Sequence, residues 1–244
     1  MPRFFVQSVE EDSLEITGKD ARHIALSLRM KRGESLVLCD GNGREAEGVI
    51  TSIEPESVVL SVRSRRDSVA EPKTKVILYQ ALPKLDKLET IVQKAVELGA
   101  SEIVPVLTSR CISRPDEKAM AKKRERLQKI ADEAAKQCGR GKLPPVGELL
   151  SFKNAIKAMS TAEIPLLLYE HATTPLKKSL EHAEGKTIAV LVGSEGGFSE
   201  EEAAYAVENG ILSVSLGPRI LRCETAPLAA LSVILFAAGE MEIL

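Results

Sequence analysis

The chain predicts two domains of different class. Residues 1–70 read as a small β-barrel, and residues 71–244 as an α/β domain with a mainly parallel sheet. Three observations lead there. Short strands with a DGNG hairpin turn at 40–43 fill the first part. From Val76 onward, apolar strand-like runs alternate with helix-period segments. Near the C-terminus, two apolar runs end in Gly- or Pro-marked turns that lead into helices. α/β folds hold small ligands at such strand ends.

Leu36–Cys39, Glu45–Ile53 and Val58–Val62 are the expected strands of the first domain, with a short helix over Ala21–Leu28 containing His23. Arg22, Arg29, Lys31 and Arg32 gather beside one of its turns. Polar Ser64–Lys75, with Pro72, reads as the linker. Val76–Leu82 is then a strand, Pro83–Leu98 a helix stopped by Gly99, and Ile103–Leu107 the next strand. Asp116–Cys138 is a long helix whose buried stripe is Leu127, Ile130, Ala131, Ala134 and Cys138. Phe152–Met159 and Pro175–Ala183 are helices, with strand Pro165–Tyr169 between them.

Leu191–Glu202, LVGSEGGFSEEE, is the first of the two C-terminal segments, entered from strand Ile188–Val192. Gly193, Gly196 and Gly197 let the backbone approach a ligand. Ser199 is a natural N-cap, and Glu200, Glu201 and Glu202 fill the first helical turn. Three carboxylates there oppose a phosphate, and the GxxxxGK[ST] and GxGxxG patterns are absent. The loop therefore suits a neutral or cationic ligand. The second segment, Leu216–Leu231, follows strand Ile211–Leu216. It turns at Gly217-Pro218 and enters, with Thr225 as the expected cap, an apolar helix over Ala226–Ala238. Thirteen residues are too few to cross a bilayer, which takes about 20.

The charge balance is −2 overall, with 3% aromatic residues and no Trp, so stacking platforms for single strands are scarce. Charge is uneven along the chain. Arg110–Lys142 holds eleven Lys/Arg against five Asp/Glu, whereas Glu163–Gly210 holds three against nine. The basic stretch fits a phosphate-contacting face or an ordinary solvated helix about equally. The four cysteines form no CxxC pair and do not space with the three histidines as a zinc site, so no metal is expected. Reduced thiols, the absence of a basic-then-apolar leader in MPRFFVQSVEED and the lack of a membrane-length run imply a cytoplasmic protein.

GSEGGFS followed about twenty residues later by LGPRILRCETA resembles the SPOUT superfamily of S-adenosylmethionine-dependent RNA methyltransferases. The RsmE-type family, which methylates N3 of a uridine in bacterial small-subunit ribosomal RNA, is the nearest resemblance. SRC at 109–111 and EAAKQCGR at 133–140 are similar to it as well. MPRFFV, HIALSLRMKRGE and DGNGREAEGVI resemble the PUA-like RNA-binding module that precedes its catalytic domain. Ser194 and Cys223 depart from the pattern, standing where Pro and Thr are frequent. The resemblance implies a C-terminal trefoil knot, a homodimer, S-adenosyl-L-methionine as cofactor and small-subunit rRNA as partner.

It also implies a site. Leu191, Val192, Gly193, Glu195, Gly196 and Gly197 would form one side of the cofactor slot. Leu216, Ile220, Leu221, Cys223, Thr225 and Ala226 would form the other, and Tyr169 and Glu170 would close a third. Methyl transfer to a weakly acidic N3–H calls for a group to steady the anion and a base. Arg222 and Glu224 are the candidates, although an Arg222 ion pair with Glu224 or Glu195, and a helix-start role for Glu224, fit as well. Arg22, Arg29, Lys31, Arg32, Lys84, Arg110 and Arg140 are the expected RNA contacts. The competing readings are a methyltransferase of ribose 2′-hydroxyls or another base, an enzyme binding a nucleotide in the GSEGG loop, and a non-catalytic RNA-binding protein.

Overall fold

The computed structural model describes residues 1–242, so the last two positions of the expected second domain lie outside the described residues. The chain divides into two compact units. One is Met1–Glu71 together with Ala135–Leu143; the other is Pro72–Ala134 together with Pro144 onward. The expected boundary at 70 made no allowance for the return of residues 135–143.

In the first unit, β1 (Arg3–Phe5), β2 (Ser13–Thr17), β3 (Ser35–Cys39), β4 (Arg44–Glu54) and β5 (Ser57–Asp67) form one sheet in the order β1-β3-β4-β5-β2. All pairs are antiparallel except β1 with β3. Register shifts at Glu47/Gly48 and Ile50/Ser52 bend β4 and curl the sheet around Phe4, Ile16, Ile24, Leu36, Leu38, Ile50 and Leu60. The DGNG turn joins β3 to β4, and the Asp40 carboxylate accepts the Asn42 and Arg44 amides at 2.8 and 3.0 Å. The expected helix over 21–28 is instead α1 (Gly18–Arg22) continued by one π turn, His23–Ser27. Glu45, 2% exposed, accepts from Arg3 Nη1 at 2.7 Å and Arg66 Nε at 2.6 Å. Burial alone would raise that carboxyl; the two guanidiniums more than reverse it and hold it below its ordinary value.

Ser64–Lys75 is not a loose linker. Its first residues extend β5, and Glu71 accepts from Arg140 Nη2 at 2.9 Å and from the Gly141 and Lys142 amides at 2.9 and 3.0 Å.

The second unit is a six-stranded, wholly parallel sheet, order β11-β9-β10-β6-β7-β8. Its strands are β6 (Lys75–Ala81), β7 (Glu102–Leu107), β8 (Leu150–Ser151), β9 (Ile164–Leu168), β10 (Thr187–Val192) and β11 (Leu212–Val214). VILYQA, IPLLL and IAVLV are near-continuous apolar runs because helices cover both faces. Side chains alternate accordingly. Tyr79, Val104, Leu167, Ala189 and Leu191 pack with α4 (Phe152–Met159) and α6 (Glu200–Glu208). α2 (Lys87–Leu98) and α7 (Ala226–Ala237) lie against each other, and α7 also meets β6. Gly99 ends α2 at φ +103, where a Cβ would come within 2.9 Å of Pro72.

Some helices differ from expectation. α2 starts at Lys87 rather than Pro83, because Leu85 sits at φ +57 and breaks the helical path. The helix expected over 175–183 is only α5 (Leu176–Ser179), with His182 at φ +117. α3 runs Glu117–Cys138. Among the described residues, no helix is long and apolar enough to cross a membrane.

Candidate active site

Beyond the C-terminal ends of β9, β10 and β11 the second unit has a cleft of about 480 Å³. This is an ordinary size for a small-molecule site. Each strand delivers a loop to it. β9 ends in Leu168 and passes into Tyr169 and Glu170. β10 ends in Val192 and runs into Gly193, Ser194, Glu195, Gly197 and Phe198. β11 ends in Val214 and is followed by Leu216, Gly217, Pro218, Arg219, Ile220, Leu221, Arg222, Cys223 and Ala226.

The loop after β10 is tight. The Gly197 amide donates to Ser194 O at 3.0 Å, closing a turn with Gly197 at φ +63. A Cβ on Gly193 would stand 3.1 Å from Gly197 Cα and 3.3 Å from the Phe198 ring. Gln80 Nε2, reaching from β6, donates to Gly193 O at 3.2 Å. Arg110 Nη1 donates to Gly196 O at 3.0 Å. Ser199 and Glu202 then complete a capping box on α6, and Glu202 also accepts the Ser109 amide at 2.7 Å.

Beside the cleft lies an ion cluster. Lys87 Nζ is 3.0 Å from Glu195 Oε1, 3.1 Å from Glu224 Oε2 and 3.7 Å from Cys223 Sγ. Glu195 accepts the Lys84 amide at 3.2 Å as well. Hydrogen bonds to Glu195 and Glu224 raise Lys87 above the ordinary lysine value. Burial pushes Glu195 up, but its own amide, Lys87 and the Lys84 amide outweigh it and lower the carboxyl. Glu224 is lowered by the Cys223 thiol and by Lys87. The Cys223 thiol is pushed up to about 12 by burial and by its hydrogen bond to Glu224.

Most of the expected slot residues line this cleft: Tyr169, Glu170, Val192, Gly193, Glu195, Gly197, Leu216, Ile220, Leu221, Cys223 and Ala226. Three do not. Leu191 is fully buried and turns into the core of the sheet. Gly196 faces Arg110, whose Cβ would lie 3.0 Å from a Cβ there. Thr225 sits at the start of α7 in a helical conformation and makes no side-chain cap.

Arg222 lines the cleft and is exposed. Among the described residues it makes no ion pair within 4.0 Å, because Lys87 has taken both Glu195 and Glu224. Glu224, the candidate base, has its carboxyl lowered by the Cys223 thiol and by Lys87, 3.1 Å away; a base works best with a value near the working pH, so this geometry opposes that role. Arg140, expected to touch RNA, is 4% exposed and held by Glu71. Arg22 pairs with Glu56 at 3.4 Å on the surface, and Arg29, Lys31 and Arg32 are exposed on the first unit. Lys84 and Arg110 are exposed on the second.

Lys87, Ser194 and Phe198 were missing from the expected site. Lys87 carries no local mark of its role, because its partners are far along the chain. No group of three or more His, Cys, Asp or Glu able to hold a metal ion is present among the described residues.

The cleft's chemistry fits a cationic nucleoside donor. Glu170 brings negative charge, Glu195 is paired with Lys87, and Arg219 and Arg222 lie on the loop after β11. Leu168, Val192, Phe198 and Val214 supply apolar wall, and the glycine loop brings backbone polar groups close. The Ser194 hydroxyl is buried with no hydrogen-bond partner among the described residues.

Comparison with known proteins agrees with this geometry. An RNA methyltransferase domain model matches residues 70–235, and an RNA methyltransferase PUA domain model matches 16–63. The chain is similar to ribosomal RNA small subunit methyltransferase E of Bacillus subtilis, with 36% identity over 96% of both chains. It is 31% identical to the protein of that name from Mycobacterium bovis, over 90% of this chain and 84% of that one. Among solved structures, ribosomal RNA small subunit methyltransferase E from Neisseria gonorrhoeae bound to S-adenosyl methionine superposes with a TM-score of 0.87. It is 31% identical and covers 97% of each chain.

Proposed function

The chain belongs to the ribosomal RNA small subunit methyltransferase E family, and on that premise we propose that it methylates small-subunit rRNA with S-adenosyl-L-methionine as donor. The observation that carries this reading is the cleft itself, in which the GSEGGF loop and the LGPRILRC loop face one cavity. The finer reading is that N3 of a uridine is the acceptor and that the protein is a cytoplasmic homodimer. The knotted threading of the C-terminal chain belongs to the same reading.

When bound, adenosylmethionine supplies a methyl carbon on a cationic sulphur. The residues here hold and orient it. Glu170 would face the positive charge, Phe198, Val192 and Val214 would exclude water, and Gly193 and Gly197 would admit the ligand against the backbone. Arg222, exposed at the cleft and without an ion pair among the described residues, would steady the negative charge that develops on the uracil at N3. Arg22, Arg29, Lys31 and Arg32 on the first unit, with Lys84 and Arg110 on the second, supply phosphate contacts.

Titration calorimetry tests the donor: adenosylmethionine is expected to bind and ATP not to, and the reverse would overturn the reading. Mass spectrometry of rRNA from a strain lacking the protein tests the acceptor. Loss of a single base-methylated uridine is expected; loss of a ribose methyl would move the acceptor to a 2′-hydroxyl. Arg222→Ala is expected to lower turnover about 100-fold with donor affinity kept. Turnover within a few-fold of wild type would remove Arg222 from the chemistry.

A further inference from the structure

Three buried side-chain oxygens have no hydrogen-bond partner among the described residues: Ser68 Oγ, Gln80 Oε1 and Ser194 Oγ. Two of them, Gln80 and Ser194, flank the same residue, Gly193. Native proteins rarely leave buried polar groups unmatched, since each forfeits its bond to water without a replacement. Two together call for an explanation.

Ser194 is 7% exposed and lines the cleft. Its carbonyl accepts the Gly197 amide that closes the turn. A serine opening such a turn commonly bonds its hydroxyl to a nearby backbone amide. Here it does not. The hydroxyl is thus held by the turn on a residue that lines the cavity, shielded from bulk water, and left with both donor and acceptor capacity unused. Gln80 acts one step back. It is fully buried, its Nε2 donates to Gly193 O at 3.2 Å and to Ala81 O at 3.0 Å, and this fixes the peptide that carries Ser194.

We infer that Ser194 is a direct binding residue whose hydroxyl is satisfied by a polar group of the bound methyl donor, with Gln80 as the residue that positions it. The inference rests on the methyltransferase reading and adds one specific contact to it. The glycines around Ser194 offer only backbone and shape; Ser194 offers a side-chain hydrogen bond in a site screened from water.

The test is Ser194→Ala in the full-length protein, titrated with adenosylmethionine and melted without ligand. Affinity is expected to fall about three- to tenfold, the effect of one neutral hydrogen bond. The ligand-free melting temperature is expected to hold or rise, because an unmatched hydroxyl has been removed. Gln80→Leu is expected to weaken donor binding too, and Ser194→Ala in that background to cost less than in wild type. Unchanged affinity in Ser194→Ala would overturn the inference. So would an affinity loss matched by an equal drop in ligand-free stability, which would make the hydroxyl structural. If wild type itself fails to bind adenosylmethionine, the methyltransferase reading fails instead, and the two failures are distinguishable.

Discussion

The reversal after β10 and the reversal after β11 leave neighbouring parts of one sheet and wall the same cleft, but they are held differently. The first is bonded from outside at every stage: Gln80 on Gly193, Lys84 and Lys87 on Glu195, Arg110 on Gly196, and Ser109 on Glu202. In the second, the bonds lie at the two ends. At the entry Ser215 is bonded to Thr174 and Leu176 and its hydroxyl accepts the Gly217 amide; at the exit Arg222 O accepts from the Thr225 and Ala226 amides while Lys87 holds Glu224. Between them Ile220 is 85% exposed. One wall is therefore shaped before a ligand arrives. The other is held at its ends only, so its middle, around Ile220, is the less constrained part of the cleft wall.

The largest expected difference comes from side-chain volume. Gly193→Ala should lower unfolding stability by about 1–3 kcal/mol, since its Cβ would crowd the Gly197 backbone and the Phe198 ring and force one of them to shift. Ile220→Ala should stay within about 0.5 kcal/mol. Equal losses in chemical denaturation would dissolve the contrast. A smaller difference is expected at the two helix starts. Ser199→Ala removes a working cap and should cost about 1 kcal/mol, whereas Thr225→Ala, with no cap bond to lose, should cost a few tenths.

The smallest effect is in pH. Glu195 and Glu224 are lowered, so their stabilisation is present above the unfolded glutamate value of about 4.3 and fades as pH falls below it. Lys87 is raised, so its share is complete below the unfolded lysine value of about 10.4 and fades only as pH rises through its higher folded value. The difference in melting temperature between wild type and Glu195→Gln should shrink on acidification below about pH 4. A difference that persists undiminished would show that Glu195 does not act through its charge.

The parallel sheet was legible because burial on both faces writes itself as unbroken apolar runs. The glycine loop was legible because its backbone needs leave few residue choices. β1 and β2 were not, since RFF and SLEIT are too short to show a period. A basic run displays charge but not partners. Arg140 looked like its exposed neighbours, yet its carboxylate stands 69 positions away at Glu71. Glu224 read as a candidate base, a partner of Arg222 or a helix-start carboxylate for the same reason, since Lys87, which holds it, is remote in the chain. Contacts of that span are made by the fold, and local patterns carry no mark of them.

The return of Ala135–Leu143 to the first unit bears on how the molecule is made. Glu71 fastens Arg140, Gly141 and Lys142, and Gly41 O receives the Leu143 amide. During synthesis the N-terminal unit thus stays unfinished until residue 143 has left the ribosome, well after its own strands have emerged. A fragment cut at the interdomain boundary would carry an acidic side chain facing nothing, and the shortest N-terminal piece that closes properly must borrow that later segment.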